Sequence, residues 1–529
     1  MALIFSSDAA REPQSKSSNC NWKVRNGLPP LILFVGTGLS RAKDLTSKAH
    51  PNFSTATSAS FILALVKTKK RDSQPEVSPA RAAAFDVLLR VERGSSYATE
   101  LLHSRSCTSL TTIDHALTTE LVMGVLRWRS LLDSQISEVS SQPLSRLDLE
   151  ILTALRLAVY QLRWLSRIPA RAAINESVEL VKRARKRSAA SFVNAVLRKL
   201  TVGPQPSAGA APAAVVPATA EELAASTAHP QWLVERWIRA YGLEAAVQIC
   251  RHNQSVPVTA IRLRHPEAED RLGADGIELA PGAFLASGRR VQHGDITRTS
   301  AVREGLCVIQ DEASQLVAAL VGDGESALDC CAAPGGKTLA IADRNANSHV
   351  TAVDVHPHRA RLLQRLVRPH QVDNRTGSDP ILVVAADARR LPFVASFDRV
   401  LADVPCSGTG TISRNPEIKW RLMPTDLIEL QGRQLAILRS AMAHVAAGGR
   451  LIYSTCSLER EENEEVVECA LAEGSWFRVL DCRDELDKLK QAGELNWDDS
   501  SRLTRGPYLR TLPGVHPCDG FFAAILERI

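Results

Sequence analysis

Hydrophobic positions over residues 78–200 recur at the spacing of a buried helix face. Ile151, Leu155, Val159 and Leu162 show it, because steps of three and four residues place side chains on one side of a helix. The alternation typical of a half-buried strand does not convincingly interrupt this stretch. The pattern therefore predicts an all-helical domain over residues 78–200.

The hydrophobic pattern changes after Gly305 to short apolar runs separated by helical stretches. Runs of this length suit strands that are buried on both faces of a parallel sheet. The predicted strands are 326–331, 350–355, 381–385, 397–404 and 450–455, and the helical stretches include 427–445. This alternation predicts a doubly wound α/β domain over residues 305–529, with ligands at the carboxyl ends of the strands.

Two segments separate these domains. Residues 201–228 are dominated by Ala, Pro, Gly and Ser, a composition with too little bulky apolar surface to pack, and we predict a linker there. Residues 229–304 alternate short apolar stretches with Gly and Pro turns, which is typical of a small α+β module. The fold class predicted for the 529-residue chain is therefore multidomain, in the order all-α, small α+β and Rossmann-like α/β.

The first 70 residues differ in composition from the rest of the chain. They contain ten Lys or Arg against three acids, are rich in Ser and Thr, and lack periodicity. This composition is typical of an organelle transit peptide, with a plain disordered tail as the alternative. We predict a leader over residues 1–75. Asp8 and Glu12 are unusual in a mitochondrial presequence, so the chloroplast stroma is the predicted compartment and the mitochondrion the alternative.

The charge of the chain is concentrated in the leader, because the formal net charge of +6 falls close to zero without residues 1–70. Affinity for a nucleic acid would then have to come from a local basic patch. The candidate patch comprises Lys182, Arg183, Arg185, Lys186 and Arg187. A solvated helix end is the alternative interpretation. The apolar runs of the leader are shorter than the roughly 20 residues of a membrane helix, so we expect no membrane span.

The first predicted strand of the α/β domain runs into a loop of small residues that a helix follows. Such a loop lets the backbone approach a ligand closely, and the helix start offers free N–H groups. The loop contains Cys331, Ala332, Ala333, Pro334, Gly335, Gly336 and Lys337. A phosphate-binding loop would need glycine at position 331, so that interpretation is weak.

Two aspartates follow the next two predicted strands. Asp354 lies where an acid can hold the hydroxyls of a ribose, and Asp387 lies where an acid can accept a hydrogen bond from an adenine amino group. Either aspartate alone could instead cap a helix. Together they predict an adenosine pocket, and adenosine without a phosphate loop favours S-adenosyl-L-methionine over ATP.

Cysteines follow the fourth and fifth predicted strands at the same edge of the sheet. Cys406 follows Asp403 in the segment Asp-Val-Pro-Cys, and Cys456 lies in Ser-Thr-Cys-Ser. A lone cysteine is usually a buried structural residue, but two thiols at neighbouring strand ends beside an aspartate favour chemistry. Carbon 5 of cytosine accepts a methyl group only after a thiolate adds at carbon 6, and Asp403 is placed to assist at N3. The pattern does not choose between the two cysteines, and this chemistry requires no metal.

Several motifs resemble those of the RNA cytosine-5 methyltransferase family. The matching segments are 329–338, 403–410 and 454–465, with flanking motifs at 310–314 (QDEAS) and 519–523 (DGFFA). The helical region, at 119–127, 168–180 and 192–200, resembles a NusB-like RNA-binding domain. A NusB-like domain joined to this catalytic domain resembles the RsmB/Sun subfamily of 16S ribosomal RNA methyltransferases.

The resemblance implies residue roles that the pattern left open. The nucleophile would be Cys456, with Cys406 helping its release; residues 331–337 would lie along S-adenosylmethionine, and Asp403 between cofactor and base. The implied substrate is small-subunit ribosomal RNA, single-stranded or partly assembled. We expect the enzyme to be a monomer. A transfer RNA cytosine-5 methyltransferase and a non-catalytic RNA-binding or assembly factor are the alternatives. Residues 482–505 match no motif of the family.

Overall fold

The computed structural model of the chain describes residues 77–94, 96–202, 217–344, 349–367 and 381–529. The predicted leader, residues 1–75, and half of the predicted linker, residues 203–216, lie outside the described residues. Among the described residues, no helix combines the length and the hydropathy that crossing a bilayer requires.

The N-terminal part is all-helical, as the spacing of its apolar positions predicts. Its helices are α1 (Pro79–Glu92), α2 (Ala98–Leu102), α3 (Arg105–Thr108), α4 (Thr112–Arg127), α5 (Arg129–Val139), α6 (Leu149–Trp164), α7 (Ala170–Arg183) and α8 (Ala190–Val202). Helix α6 provides the centre of the core, where Leu155 and Val159 are fully buried. A local signal fixes the start of α4, since the Thr111 side chain accepts a hydrogen bond from the Asp114 N–H.

Part of the predicted linker is folded, so that prediction is wrong for its C-terminal third. Helices α9 (Ala220–Ser226), α10 (Gln231–Tyr241) and α11 (Leu243–Gln254) form one cluster. Leu223, the one bulky apolar residue of α9, is fully buried. The other bulky apolar residues of its cluster come from outside the predicted linker, such as Trp237 of α10 and Ile418 much further along the chain. Local composition therefore underestimates the capacity of this segment to pack.

A small antiparallel sheet follows. Its elements are β1 (Ala260–Leu263), α12 (Glu267–Ala274), β2 (Glu278–Pro281), β3 (Gly288–His293), α13 (Ser300–Arg303) and β4 (Cys307–Ile309), with strand order β2-β3-β1-β4. The α+β prediction is correct, but the predicted end of the module at residue 304 is one strand too early. Ile309 pairs with Ile261, which makes β4 the edge strand of this sheet.

The C-terminal part is a doubly wound α/β domain. Its elements are α14 (Glu312–Ala319), β5 (Ser326–Asp329), α15 (Gly336–Arg344), β6 (His349–Asp354), α16 (Pro357–Val367), β7 (Ile381–Ala385), β8 (Phe397–Asp403), α17 (Ile418–Arg421), α18 (Asp426–Met442), β9 (Val445–Thr455), α19 (Glu464–Leu471), β10 (Phe477–Leu480), α20 (Cys482–Gln491), β11 (Thr504–Arg505), β12 (Tyr508–Thr511) and β13 (Phe521–Arg528). Strands β5 to β9 are parallel neighbours in the order β9-β8-β5-β6-β7, and all five coincide with predicted strands.

An antiparallel extension of this sheet was not predicted. The order continues from β9 through β13 to β12 and β11, and β10 pairs with β13. Phe522 of β13 lies opposite Thr455 of β9, so the 519–523 motif lies next to Cys456. The segment without a family motif, 482–505, forms α20 and leads into β11.

Two helical glycines provide a matched test of the packing. A Cβ atom at Gly124 would lie 1.9 Å from the Tyr160 ring, which is held by a 2.6 Å hydrogen bond to Glu120 and by stacking on Trp164. We expect Gly124→Ala to reduce the free energy of unfolding by about 1–3 kcal/mol through overpacking. A Cβ atom at the exposed Gly432 would meet nothing within 4 Å, so Gly432→Ala is expected to stabilise by about 0.5–1 kcal/mol. Equilibrium denaturation measures both, and equal effects would contradict the packing at Gly124.

Candidate active site

The two cysteines singled out in the sequence meet at the carboxyl edge of the parallel sheet. Asp403, the last residue of β8, pairs with Ser454 of β9, so the residues that follow each strand emerge side by side. The sulfur atoms of Cys406 and Cys456 lie 3.3 Å apart. The hydrogen bond with Cys456, followed by burial, raises the pKa of Cys406 well above its ordinary value. Cys406 is therefore a thiol at neutral pH.

The buried carboxylate of Glu462 holds the loops of both cysteines. Its oxygens accept hydrogen bonds from the Ser407 N–H at 2.8 Å and from the hydroxyls of Ser407 and Ser457, the residues that follow the two cysteines. Gln434 of α18 donates a fourth bond at 2.9 Å. The sequence pattern did not single out Glu462. An acid within the 454–465 motif was the available signal, but nothing in the pattern indicated that it is buried.

A glycine contact joins the cysteine loops to the C-terminal motif. The Gly410 N–H donates to the Cys456 carbonyl at 2.9 Å, and the Gly520 N–H donates to the Gly410 carbonyl at 2.8 Å. A Cβ atom at Gly410 would lie 2.2 Å from the Gly520 oxygen. Because backbone atoms occupy that space, only glycine allows these three segments to pack together.

Asp403 links the cysteine strands to the glycine-containing loop. Lys337 donates to one of its oxygens at 2.8 Å, and Ser454 donates to the other at 2.7 Å. The Lys337 ammonium also lies 4.9 Å from the centre of the Phe521 ring. Asp403 thus links the Cys331–Lys337 loop to the strand that carries Cys456.

The loop from Cys331 to Lys337 connects β5 to α15. A Cβ atom at Gly335, where φ is +119°, would lie 2.6 Å from Leu363, so glycine is required there. At the base of the loop Thr338 donates to one oxygen of the buried Asp329 at 2.7 Å, and burial raises the pKa of Asp329 to about 7. Within the described residues the second oxygen of Asp329 has no hydrogen-bond partner. The Gln310 side-chain oxygen, beside Gly336, is likewise unpartnered there. These acceptors fit a ligand that carries N–H donors.

Asp354 and Asp387 lie at the same edge, but their present partners differ. Asp354 is buried and accepts a hydrogen bond from the His356 N–H at 2.8 Å, leaving acceptor capacity on its carboxylate. Asp387 accepts the Arg389 N–H at 3.0 Å and pairs with the Arg389 guanidinium at 2.7 Å, and this arginine lowers the Asp387 pKa. Asp387 therefore also caps the short helical turn 388–390, which is the alternative that the sequence left open. A ligand at Asp387 would compete with Arg389.

An ion cluster behind the thiols joins both flanking motifs. Arg414 contacts Asp519 at 2.7 Å and Asp311 at 3.1 Å. Burial, followed by the charge of Asp311, raises the pKa of Asp519 to about 7. The cluster fixes the chain shortly after Cys406 against 310–314 and 519–523. Local sequence pattern could not reveal it, because its members are about one hundred or more residues apart.

The predicted basic patch lies at the end of α7, remote in sequence from the thiols. Three of its five cations pair within the helical domain: Lys182 with Glu179 at 2.7 Å, Arg183 with Asp86 at 3.4 Å and Lys186 with Asp148 at 2.8 Å. Arg185 and Arg187 make no ion pair among the residues that the structure describes. The patch is thus partly neutralised, and these two arginines are its open positions.

A Rossmann-like sheet with a small-residue cofactor loop, joined to a NusB-like helical domain, defines an S-adenosylmethionine-dependent RNA methyltransferase. Family models match three parts of the chain. The model of the family described as "16S rRNA methyltransferase RsmB/F" matches residues 318–527, and that of the "NusB family" matches residues 78–201. The model of the ferredoxin-like domain of RsmF/B-like methyltransferases matches residues 229–294.

Similar proteins extend over nearly the whole described chain. A probable ribosomal RNA small subunit methyltransferase B of Bacillus subtilis is 35% identical over 460 residues, which is 85% of this chain and 98% of that protein. The ribosomal RNA small subunit methyltransferase B of Pseudomonas syringae pv. tomato is 32% identical and covers 86% of this chain and 97% of its own length. The crystal structure of PH0851 shares the fold, with a TM-score of 0.68, 24% identity and coverage of 86% of this chain and 100% of that one. The chain belongs to the ribosomal RNA small subunit methyltransferase B family.

Glu462→Gln tests the role of the buried carboxylate. The amide replaces one acceptor oxygen by a donor that must face another donor, which costs about 1–3 kcal/mol. We expect the rate of methyl transfer to RNA to fall by about tenfold or more. Each rise of about 1.4 kcal/mol in the activation free energy slows a reaction by a factor of about ten. Glu461→Gln, at the partly exposed partner of Arg236, is the matched control and should retain activity. Full activity of a folded Glu462→Gln variant would contradict the positioning role.

Proposed function

We propose that this enzyme methylates carbon 5 of a cytosine in small-subunit ribosomal RNA through a covalent adduct on Cys456. The observation that carries the proposal is the pair of thiols 3.3 Å apart at the carboxyl ends of β8 and β9, next to Asp403. A binding protein has no use for two aligned thiols, and a methyltransferase that acts on a ring nitrogen or a hydroxyl needs no thiol nucleophile. Methylation of a pyrimidine carbon needs one.

The contact between the two sulfurs fits Cys456 as the nucleophile that the family resemblance implies. The pKa of Cys406 is raised by its hydrogen bond with Cys456 and by burial, and either sulfur can be the donor in that bond. A hydrogen bond donated by Cys406 would stabilise the thiolate of Cys456 as it attacks carbon 6. In the release step a base such as water takes the carbon 5 proton, and the electron pair of that bond forms the double bond between carbons 5 and 6. The bond between Cys456 and carbon 6 then breaks, and the Cys406 thiol can donate a hydrogen bond to the departing thiolate.

Asp403 and Lys337 would order the reacting groups. Asp403 is held by Lys337 and Ser454, which leaves lone pairs on both carboxylate oxygens for the N3 and amino side of cytosine. S-adenosylmethionine, when bound, supplies the electrophilic methyl group. The residues that would hold it are the Cys331–Lys337 loop and Asp354, with Asp329 and Gln310 offering their unpartnered oxygens to its N–H donors.

Ribosomal RNA is favoured over transfer RNA by the relatives. The Bacillus subtilis and Pseudomonas syringae relatives match along nearly their whole length and are named for small-subunit ribosomal RNA, and the NusB-like domain falls within the matched length. The target cytosine must leave its stack to reach both thiols and cofactor. This is least costly in a loop or in RNA that is incompletely assembled.

Trapping with RNA that contains 5-fluorocytosine tests the chemistry. Fluorine at carbon 5 cannot be removed as a proton, so the wild-type protein should form a stable adduct visible on a denaturing gel. Cys456→Ala should lose both the adduct and methyl transfer. Cys406→Ala should slow release and accumulate adduct even with ordinary RNA. Cys469→Ala, at an exposed thiol of α19, is the control and should behave as wild type. An adduct in Cys456→Ala would overturn the assignment.

The two open arginines of the basic patch are proposed to contact RNA phosphates. The double variant Arg185→Ala/Arg187→Ala should weaken RNA binding and lower the salt slope of the binding constant by about one unit for each phosphate that is no longer neutralised. Arg433→Ala in α18, which removes a cation paired with Glu429, is the control. A salt slope equal to that of the wild type would contradict RNA contact and indicate that the patch is a solvated helix end.

A further inference from the structure

The helical domain reaches the cysteine side of the catalytic cleft through the start of α2. The Ala98 N–H donates to the buried Glu417 carboxylate at 2.6 Å, and the Ser96 carbonyl accepts from Arg421 at 2.7 Å. Glu417 and Arg421 follow the Cys406 loop in the catalytic domain. The backbone on both sides of Tyr97 is therefore fixed to the segment that carries one of the thiols.

The same segment reaches the cofactor side. Glu100, one turn further along α2, lies 3.6 Å from Arg359 of α16, the helix that follows Asp354. Residues 96–100 thus contact the segment that follows the Cys406 loop as well as α16, the helix that follows Asp354. This segment of the helical domain would form a wall of the proposed site.

Tyr97 is the aromatic side chain of this wall. It is 44% exposed, and within the described residues its hydroxyl makes no hydrogen bond. The Arg421 guanidinium lies 5.5 Å from the ring centre, against one face. Burial raises the pKa of the Tyr97 phenol, and Arg421 opposes the rise. The segment that holds Tyr97 packs on the Cys406 loop, because a Cβ atom at Gly408 would lie 2.9 Å from Ile418, the residue that follows Glu417.

We propose that Tyr97 is a substrate-positioning residue, an aromatic face on which an unstacked base of the RNA rests beside the two cysteines. This inference rests on the proposed function. A base that leaves its helix loses stacking, and an exposed aromatic ring held by fixed backbone restores it at small entropic cost. The arginine against the ring orients it and offers a cation to the adjoining phosphate. The helical domain then contributes to the active site itself, beyond holding RNA at a distance.

The test compares Tyr97→Phe, Tyr97→Leu and Tyr97→Ala in the full chain, with a small-subunit ribosomal RNA transcript as substrate. Phenylalanine keeps the ring, so its KM for RNA should stay within about twofold of wild type. Leucine and alanine lose stacking, so KM for RNA should rise by about tenfold or more. KM for S-adenosylmethionine and the melting temperature should not change. Trp476→Leu removes another exposed aromatic, at the opposite edge of the sheet beside Ile529, and should have no effect.

Three results would overturn the inference, and they are distinguishable. Unchanged KM for RNA in Tyr97→Leu and Tyr97→Ala would show that no base rests on the ring. Equal losses in all three variants, accompanied by a lower melting temperature, would show that Tyr97 only holds the domains together. A wild-type protein that forms no adduct with 5-fluorocytosine RNA would remove the proposed function and this inference with it.

Discussion

The parallel pairing of β8 with β9 is the constraint on which the chemistry depends. Asp403 and Ser454 are register partners, so the chains that leave the two strands start from adjacent positions. Glu462 then ties both loops to one carboxylate, and Gly410 lets the backbone of each come into direct contact. Two thiols separated by 50 residues in sequence are thereby held 3.3 Å apart. Neither thiol would be placed for reaction by its own strand alone.

The interface between the helical domain and the catalytic domain is formed by α17, the short helix that follows the Cys406 loop. Lys419 is fully buried and donates to the carbonyls of Arg127 and Ala228 at 2.8 Å, and burial lowers its pKa well below the ordinary value. Its neighbour Trp420 donates to the Leu126 carbonyl at 2.7 Å. These side chains bind the helical domain through backbone groups at the end of α4. The position of the helical domain and that of the Cys406 loop are therefore coupled.

The sequence contained enough information for the order of elements and for the edge where the chemistry lies. Short apolar runs predicted all five parallel strands, and residues at strand ends predicted the neighbourhood of Cys406, Cys456 and Asp403. It could not predict interactions made by distant segments. Leu223 folds a stretch that looks like linker because other helices surround it, and Glu462 is buried only because two serine loops converge on it. The ion pair between Arg389 and Asp387 could not be predicted either, although the two residues are close in sequence. The hydrophobic pattern does not specify the rotamer of an exposed side chain.

Strand β13 lies between β9 and β12 although it follows both in the chain. While the polypeptide is being synthesised, β9 presents a bare hydrogen-bonding edge until residues 521–528 have left the ribosome. Such an edge is a template for wrong pairing between nascent chains. The Gly410–Gly520 contact also has to wait for the segment that leads into β13, so the packing of the cysteine loops is completed late in the synthesis of the domain.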